Sequence, residues 1–176
     1  MSPKEILLYI VFPLIVFSGF LTFFIYFILR SNKQKKYYNV FEIIKKSNSN
    51  MIQMYFKFNS NYDIFLETQY AKYYFKIINN TKNKYLHVDP NYDFYLLNKP
   101  TDELINKLDL DVFLKFNPID LDKRINKIIV LYPNVIEKVF YESNVKAKFI
   151  YTDVEIKGVH VLNVSEIEQY FKESEI

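Results

Sequence analysis

The sequence predicts an α/β protein, built as an N-terminal transmembrane helix followed by one mixed-sheet domain. Three observations predict it. Ile6 to Leu29 is a long uncharged apolar run. From Met51 onward, short runs rich in β-branched and aromatic residues alternate with turns rich in Asn, Ser and Pro. Amphipathic stretches beginning near Val40, Leu104, Val135 and Ile167 offer helices to cover a sheet.

The apolar run reaches about 36 Å as a helix at 1.5 Å per residue, enough for a hydrocarbon core of about 30 Å with some tilt. A cleaved signal peptide has a shorter apolar core and a small-x-small cleavage site. Here the run ends instead in Leu29-Arg30-Ser31-Asn32-Lys33. Arg30, Lys33, Lys35 and Lys36 follow the span, whereas Lys4 precedes it beside Glu5. Cations resist translocation, so the N-terminus is expected outside the cell membrane and the C-terminal domain in the cytoplasm. The same cations can rest on anionic headgroups. Residues 1–36 therefore read as a single-pass anchor with a basic flank, and 37–176 as a single α/β domain.

Composition excludes several chemistries. The chain of 176 residues has a net charge of +3. Residues 1–36 hold +4 of it, which leaves −1 on the domain and weakens a case for non-specific nucleic-acid binding. There is no cysteine, so thiol nucleophiles, thiolate metal sites and disulfides are absent. Two glycines, Gly19 and Gly158, cannot build a glycine-rich phosphate loop. His87 and His160 have no partner at zinc-ligand spacing. The abundance of Asn, Lys, Ile, Tyr and Phe, whose codons are AT-rich, points to a low-GC genome such as a bacterial one.

Along the domain, Asn39 is placed to cap a short helix with Val40, Phe41, Ile43 and Ile44 on its apolar side. Met51–Phe58 alternates as a strand. Tyr62–Thr68 and Lys72–Ile78 follow as a hairpin joined through Gln69-Tyr70-Ala71. Tyr85–Val88 and Phe94–Leu97 read as short strands. Pro100-Thr101-Asp102-Glu103 reads as a helix start with Leu104, Ile105 and Leu108 inward, while residues 109–124 fit no single pattern. Lys127–Tyr132 has the continuous apolar run of a strand buried on both faces. Val135–Tyr141 reads as a helix, and Phe149–Tyr151 and Val159–Val164 as strands. Ser165 with Glu168 forms a capping box for a last helix that buries Ile167, Tyr170 and Phe171. Tyr70, Tyr73, Tyr74 and Phe75 could stack on bases, although aromatic strands more commonly fill a core.

One constellation carries chemistry. Helix, strand, strand and strand, then helix and strand, enclose Asp63 at the start of the second strand and Lys76 near the end of the third. Over about Tyr38 to Tyr132 this resembles a degenerate PD-(D/E)XK superfamily domain, and in particular the nuclease-related domain found behind an N-terminal membrane anchor. The resemblance implies a restriction-endonuclease-like fold. It further implies that Asp63 would hold a divalent metal, that Lys76 would position the attacking water, and that Glu42 on the first helix would assist. The superfamily's second acid, two residues before the lysine, falls on Tyr74. A neutral phenol is a poor ligand for magnesium, which wants anionic oxygen. Glu67, four residues beyond Asp63, lies about 13 Å along the strand, too far to complete one site.

The expectation is therefore a membrane-anchored nuclease-like domain that has lost catalysis, needs no cofactor, and binds at the cytoplasmic face of the bilayer. The alternatives are an active Mg-dependent DNA nuclease and an unrelated membrane-anchored protein-interaction module. Nucleic acid and a protein partner are both candidate ligands.

Overall fold

The computed structural model describes residues 11–57, 61–79, 84–99, 102–104, 107–143, 146–150 and 154–174. Within these, the side chains of Pro13, Leu29, Asn32, Lys33, 142–154 and Ser174 lie outside the described set. The chain forms two compact units, Met1–Asn39 and Val40–Ile176.

The first helix, α1 (Phe12–Ser47), is 36 residues long, about 54 Å at 1.5 Å per residue. It begins in the first unit and ends in the second. In the first unit, four successive side chains, Leu14, Ile15, Val16 and Phe17, are all exposed. Successive residues step about 100° around a helix, so apolar surface faces every side. Among the described residues, no helix is long and apolar enough to cross a membrane. The expected span, Ile6–Leu29, is described only from Val11 onward. The separate short helix with Asn39 as its cap is corrected, because α1 runs unbroken through that residue. Residues 30–46 contain no Gly or Pro, and their lysines and Gln34 are good helix formers, so nothing stops propagation.

The second unit is built on two sheets. In chain order the strands are β1 (Met51–Phe56), β2 (Ile64–Thr68), β3 (Ala71–Asn79), β4 (Tyr85–Val88), β5 (Phe94–Leu97), β6 (Arg124–Tyr132), β7 (Lys138–Ser143), β8 (Lys146–Ile150), β9 (Val154–Ile156) and β10 (Val159–Asn163). A short helix, α2 (Asp111–Lys115), precedes β6, and a 3-10 turn (Val164–Glu166) leads into α3 (Ile167–Ser174). The larger sheet is mixed, in the order β1-β2-β3-β6-β10-β9. Its first three strands form an antiparallel meander, β6 adds parallel to β3, and β10 adds parallel to β6. The smaller sheet runs β5-β4-β7-β8, with β4 parallel to β7.

Alternation along the strands gives the larger sheet two buried faces. Ile64 and Leu66 of β2 stand opposite Phe75 and Tyr73 of β3. On their face Phe171 of α3 lies 5.2 Å from the Tyr73 ring, and Phe41 of α1 stacks at 4.4 Å on Phe56, the partner of Ile64. The other face carries Phe65, Tyr74, Ile129, Leu131 and Val161. These form one apolar cluster with Leu86, Val88, Phe94 and Leu96 of the smaller sheet.

Three local expectations are corrected. The helix expected from Thr101 is not formed among the described residues of that stretch. Instead, Oδ2 of Asp102 accepts the backbone N–H groups of Asn98 and Lys99, closing a turn behind it, and Tyr95 bridges to Lys107. Thr101 and Ile105 themselves lie outside the described residues, as does Phe58 at the expected end of β1. The helix expected over Val135–Tyr141 is strand β7, which begins at Lys138. The capping box sits two residues earlier than expected: Oε2 of Glu166 accepts the Asn163 N–H at 2.8 Å, ahead of the 3-10 turn.

Candidate functional site

The β2–β3 hairpin positions the residues singled out in the sequence. Its register pairs Ile64 with Phe75, which brings Asp63, just before β2, alongside Lys76. The Asp63 backbone is fixed at both ends. Its N–H donates to the Phe75 carbonyl at 2.8 Å, and its own carbonyl accepts from the Lys57 N–H at 2.9 Å. The carboxylate is buried, and both oxygens are used. Oδ2 accepts the Ile77 N–H at 2.8 Å, and Oδ1 faces Lys76 Nζ at 3.4 Å. The structure thus brings Asp63 and Lys76 together as an opposite-charge cross-strand pair, an arrangement that ties a sheet end.

Tyr74, where the superfamily pattern requires an acid, points to the same face of β3 as Lys76 but into an aromatic cluster. Its ring centroid lies 5.0 Å from Tyr62, 5.2 Å from Phe65 and 5.1 Å from Phe116. Burial raises the phenol above its ordinary pKa, so it stays neutral. Glu42 belongs to the stretch of α1 whose Phe41 packs on Phe56. That is the face of Ile64 and Phe75, and Lys76 points to the opposite face. Two of the three candidate residues therefore meet, and the third rides on an element covering the other side of the sheet. Among the described residues no group of three or more His, Asp or Glu side chains could hold a metal ion. The donors at Asp63 do not fit magnesium, because its oxygens are engaged by a backbone N–H and an ammonium and its neighbour at 74 is a neutral ring.

The sequence reading missed a second charged constellation, at the turn end of the same hairpin. Lys123 Nζ donates to Glu67 Oε1 at 2.7 Å and to the Thr68 carbonyl at 3.0 Å, while Gln53 donates to the other Glu67 oxygen. Lys72 pairs with Asp120, whose Oδ1 also accepts the N–H groups of Asp122 and Lys123. The Lys72 ammonium, with those N–H groups, holds the Asp120 carboxyl at about 2. Lys123 and then Gln53 lower Glu67 in the same way, and Asp120 raises Lys72. The network staples the 116–123 loop to the hairpin. No local pattern signals it, since the partners are 48 and 56 residues apart.

The aromatic run beside these charges is mostly internal. Tyr73, Tyr74 and Phe75 are buried and Tyr70 at the turn is exposed, so three of the four rings considered for base stacking face the core. His87 stacks on Tyr141 at 4.5 Å, and burial lowers its pKa. His160 packs edge-on to Tyr170. No protein-family model matches the chain, and neither does any curated protein or solved structure.

Proposed function

We propose that the chain is a single-pass membrane protein whose cytoplasmic domain keeps a restriction-endonuclease-like scaffold, has lost metal catalysis, and serves as a binding module at the membrane face. The observation that carries this reading is the state of the Asp63–Lys76 pair. The two residues that the resemblance would place in a nuclease site are adjacent, yet the carboxylate is committed to the Ile77 N–H and to Lys76, and the second acid is replaced by a packed ring. The order of elements supports the same scaffold: a helix, three antiparallel strands, then a short helix and a strand parallel to the third. The departure is the β4–β5 hairpin, inserted before α2 and placed in a separate sheet.

Membrane anchoring rests on the apolar, uncharged Ile6–Leu29 run and on the all-round exposure of its described side chains. Such a helix has no stable place in water. The cations after it orient the domain to the cytoplasm.

The catalytic half is tested by incubating the full-length chain, in detergent, with plasmid DNA and magnesium or manganese. No cleavage is expected. Cleavage that disappears in both Asp63→Ala and Lys76→Ala would overturn the reading in favour of an active nuclease.

A further inference from the structure

We propose that Lys127 is a modification site of this domain, an acyl-acceptor lysine whose side chain is acylated by an acyl phosphate. Lys127 lies on β6 between Tyr74 of β3 and Val159 of β10. Alternation puts it on the face of Ile129 and Leu131, the face that carries the apolar cluster. Its side chain is half-buried there. From α2, the Leu114 carbonyl accepts from Nζ at 2.8 Å, and the Phe113 ring centroid lies 5.2 Å from the same atom.

The other lysines set into the two sheets have a counter-ion. Lys72, Lys76, Lys123 and Lys138 are buried or half-buried, and each is ion-paired with an Asp or a Glu. Among the described residues no carboxylate pairs with Lys127, whose polar contacts are the Leu114 carbonyl and the Phe113 ring. The charged residues of the covering helix, Asp111 and Lys115, are largely exposed and pair with each other at 3.6 Å. The strand neighbours are apolar Val159 and the neutral phenol of Tyr74. One carbonyl and one ring replace less of an ammonium's hydration than a carboxylate would, so burial favours the neutral amine. Burial accordingly lowers the Lys127 ammonium from its ordinary value, with no neighbouring charge to offset it.

The neutral amine is the nucleophilic form of lysine, and a desolvated lysine holds more of it near neutral pH. An acyl phosphate suits the site because it is small and anionic, and no paired carboxylate stands at the amine to repel it. The amine nitrogen attacks the acyl carbon and forms the N–C bond. The C–O bond to phosphate breaks, phosphate leaves with the electron pair, and the surplus amine proton passes to water. The product amide is uncharged. Acylation thus removes a charge that the fold leaves without a counter-ion, whereas at Lys72, Lys123 or Lys138 it would break an ion pair. None of this depends on a nuclease ancestry of Asp63 and Lys76.

The test needs no substitution. The full-length chain in detergent is treated with acetyl phosphate over a range of pH, and acetylation of each lysine is followed by peptide mass spectrometry. Exposed Lys99 and Lys115 serve as references. Lys127 is expected to react several-fold faster than either at neutral pH, and to reach its half-maximal rate at a lower pH. In urea strong enough to unfold the domain, the three rates should converge. A Lys127 rate at or below those of the references at every pH overturns the proposal. So does a half-maximal pH shared with them, or an advantage that persists in urea.

Discussion

Asp63 does at the level of one residue what a short stretch of strand would otherwise do, because its carboxylate supplies an acceptor to the Ile77 N–H at the end of β3. Removing that acceptor leaves a buried donor unsatisfied. Asp63→Ala should therefore cost about 1–3 kcal/mol. Asp63→Asn, which keeps an oxygen for Ile77 and loses only the ion pair, should cost less, as read from denaturant midpoints. A solely catalytic aspartate would show no such ordering. Tyr74→Glu restores the acid of the superfamily pattern on paper, but it places a carboxylate among Tyr62, Phe65 and Phe116. It should destabilise the domain by more than about 2 kcal/mol and create no metal-dependent cleavage, measured by unfolding and by the plasmid assay. The meeting of Asp63 with Lys76 follows from the resemblance and not from the hairpin's spacing: a turn over 69–71 would set Thr68 against Lys72 and Asp63 against Ile77, whereas Ala71 joins β3 and Glu67 pairs with Lys72. The separation of Glu42 was not legible in the sequence, because the face a helix covers is decided by contacts such as Phe41 on Phe56, which no local pattern encodes.

Among the elements, the strands up to β6 and the last helix could be read from alternation and turn residues, while two expected helices failed for physical reasons. Val135, Ile136, Val139 and Phe140 have helical spacing and do not alternate, so the local pattern points to a helix, but a run this short is overridden by tertiary contacts. What decides is Lys138. It is buried, its Nζ lies 2.7 Å from Glu166 Oε2 and 3.1 Å from the Val161 carbonyl, and those partners come from the far end of the chain. The pair carries its own prediction. Glu166→Ala takes the carboxylate from a buried ammonium and the acceptor from the Asn163 N–H, and should cost about 3 kcal/mol. Lys138→Met, which removes that buried charge, should cost clearly less in the same denaturation measurement. The hairpin–loop staple predicts a pH dependence. Asp120 titrates at about 2 when folded, against an ordinary value of 3.8. Its contribution is thus complete above about pH 4 and is lost as pH falls toward 2, because the unfolded chain takes up the proton first. The lowered Glu67 acts in the same direction. Urea midpoints should fall across that window, and Asp120→Asn should flatten part of the slope while lowering stability near neutrality.

For the whole molecule, the division at Asn39 and Val40 assigns the uncharged, apolar Ile6–Leu29 run and its basic flank to one unit and the apolar core to the other. The exposed side chains of Leu14, Ile15, Val16 and Phe17 cannot all be covered by one neighbour, because successive residues step about 100° around α1. A bilayer covers every direction at once. The full-length chain should accordingly stay with membranes through alkaline carbonate and leave them only in detergent. A double Phe17→Arg, Phe20→Arg variant should lose that resistance, since each arginine near the centre of a span costs about 2.5–3.5 kcal/mol of insertion. Orientation is a separate claim with a separate readout. Arg30, Lys33, Lys35 and Lys36 outweigh Lys4 with its neighbouring Glu5, so a reporter fused after Ile176 should be active in the cytoplasm. Activity confined to the outside would reverse the assignment and remove the cytoplasmic face as the place of binding. Carbonate resistance with that reversed orientation would keep the anchor and discard only the charge argument. Loss of carbonate resistance in the unmodified chain would discard both.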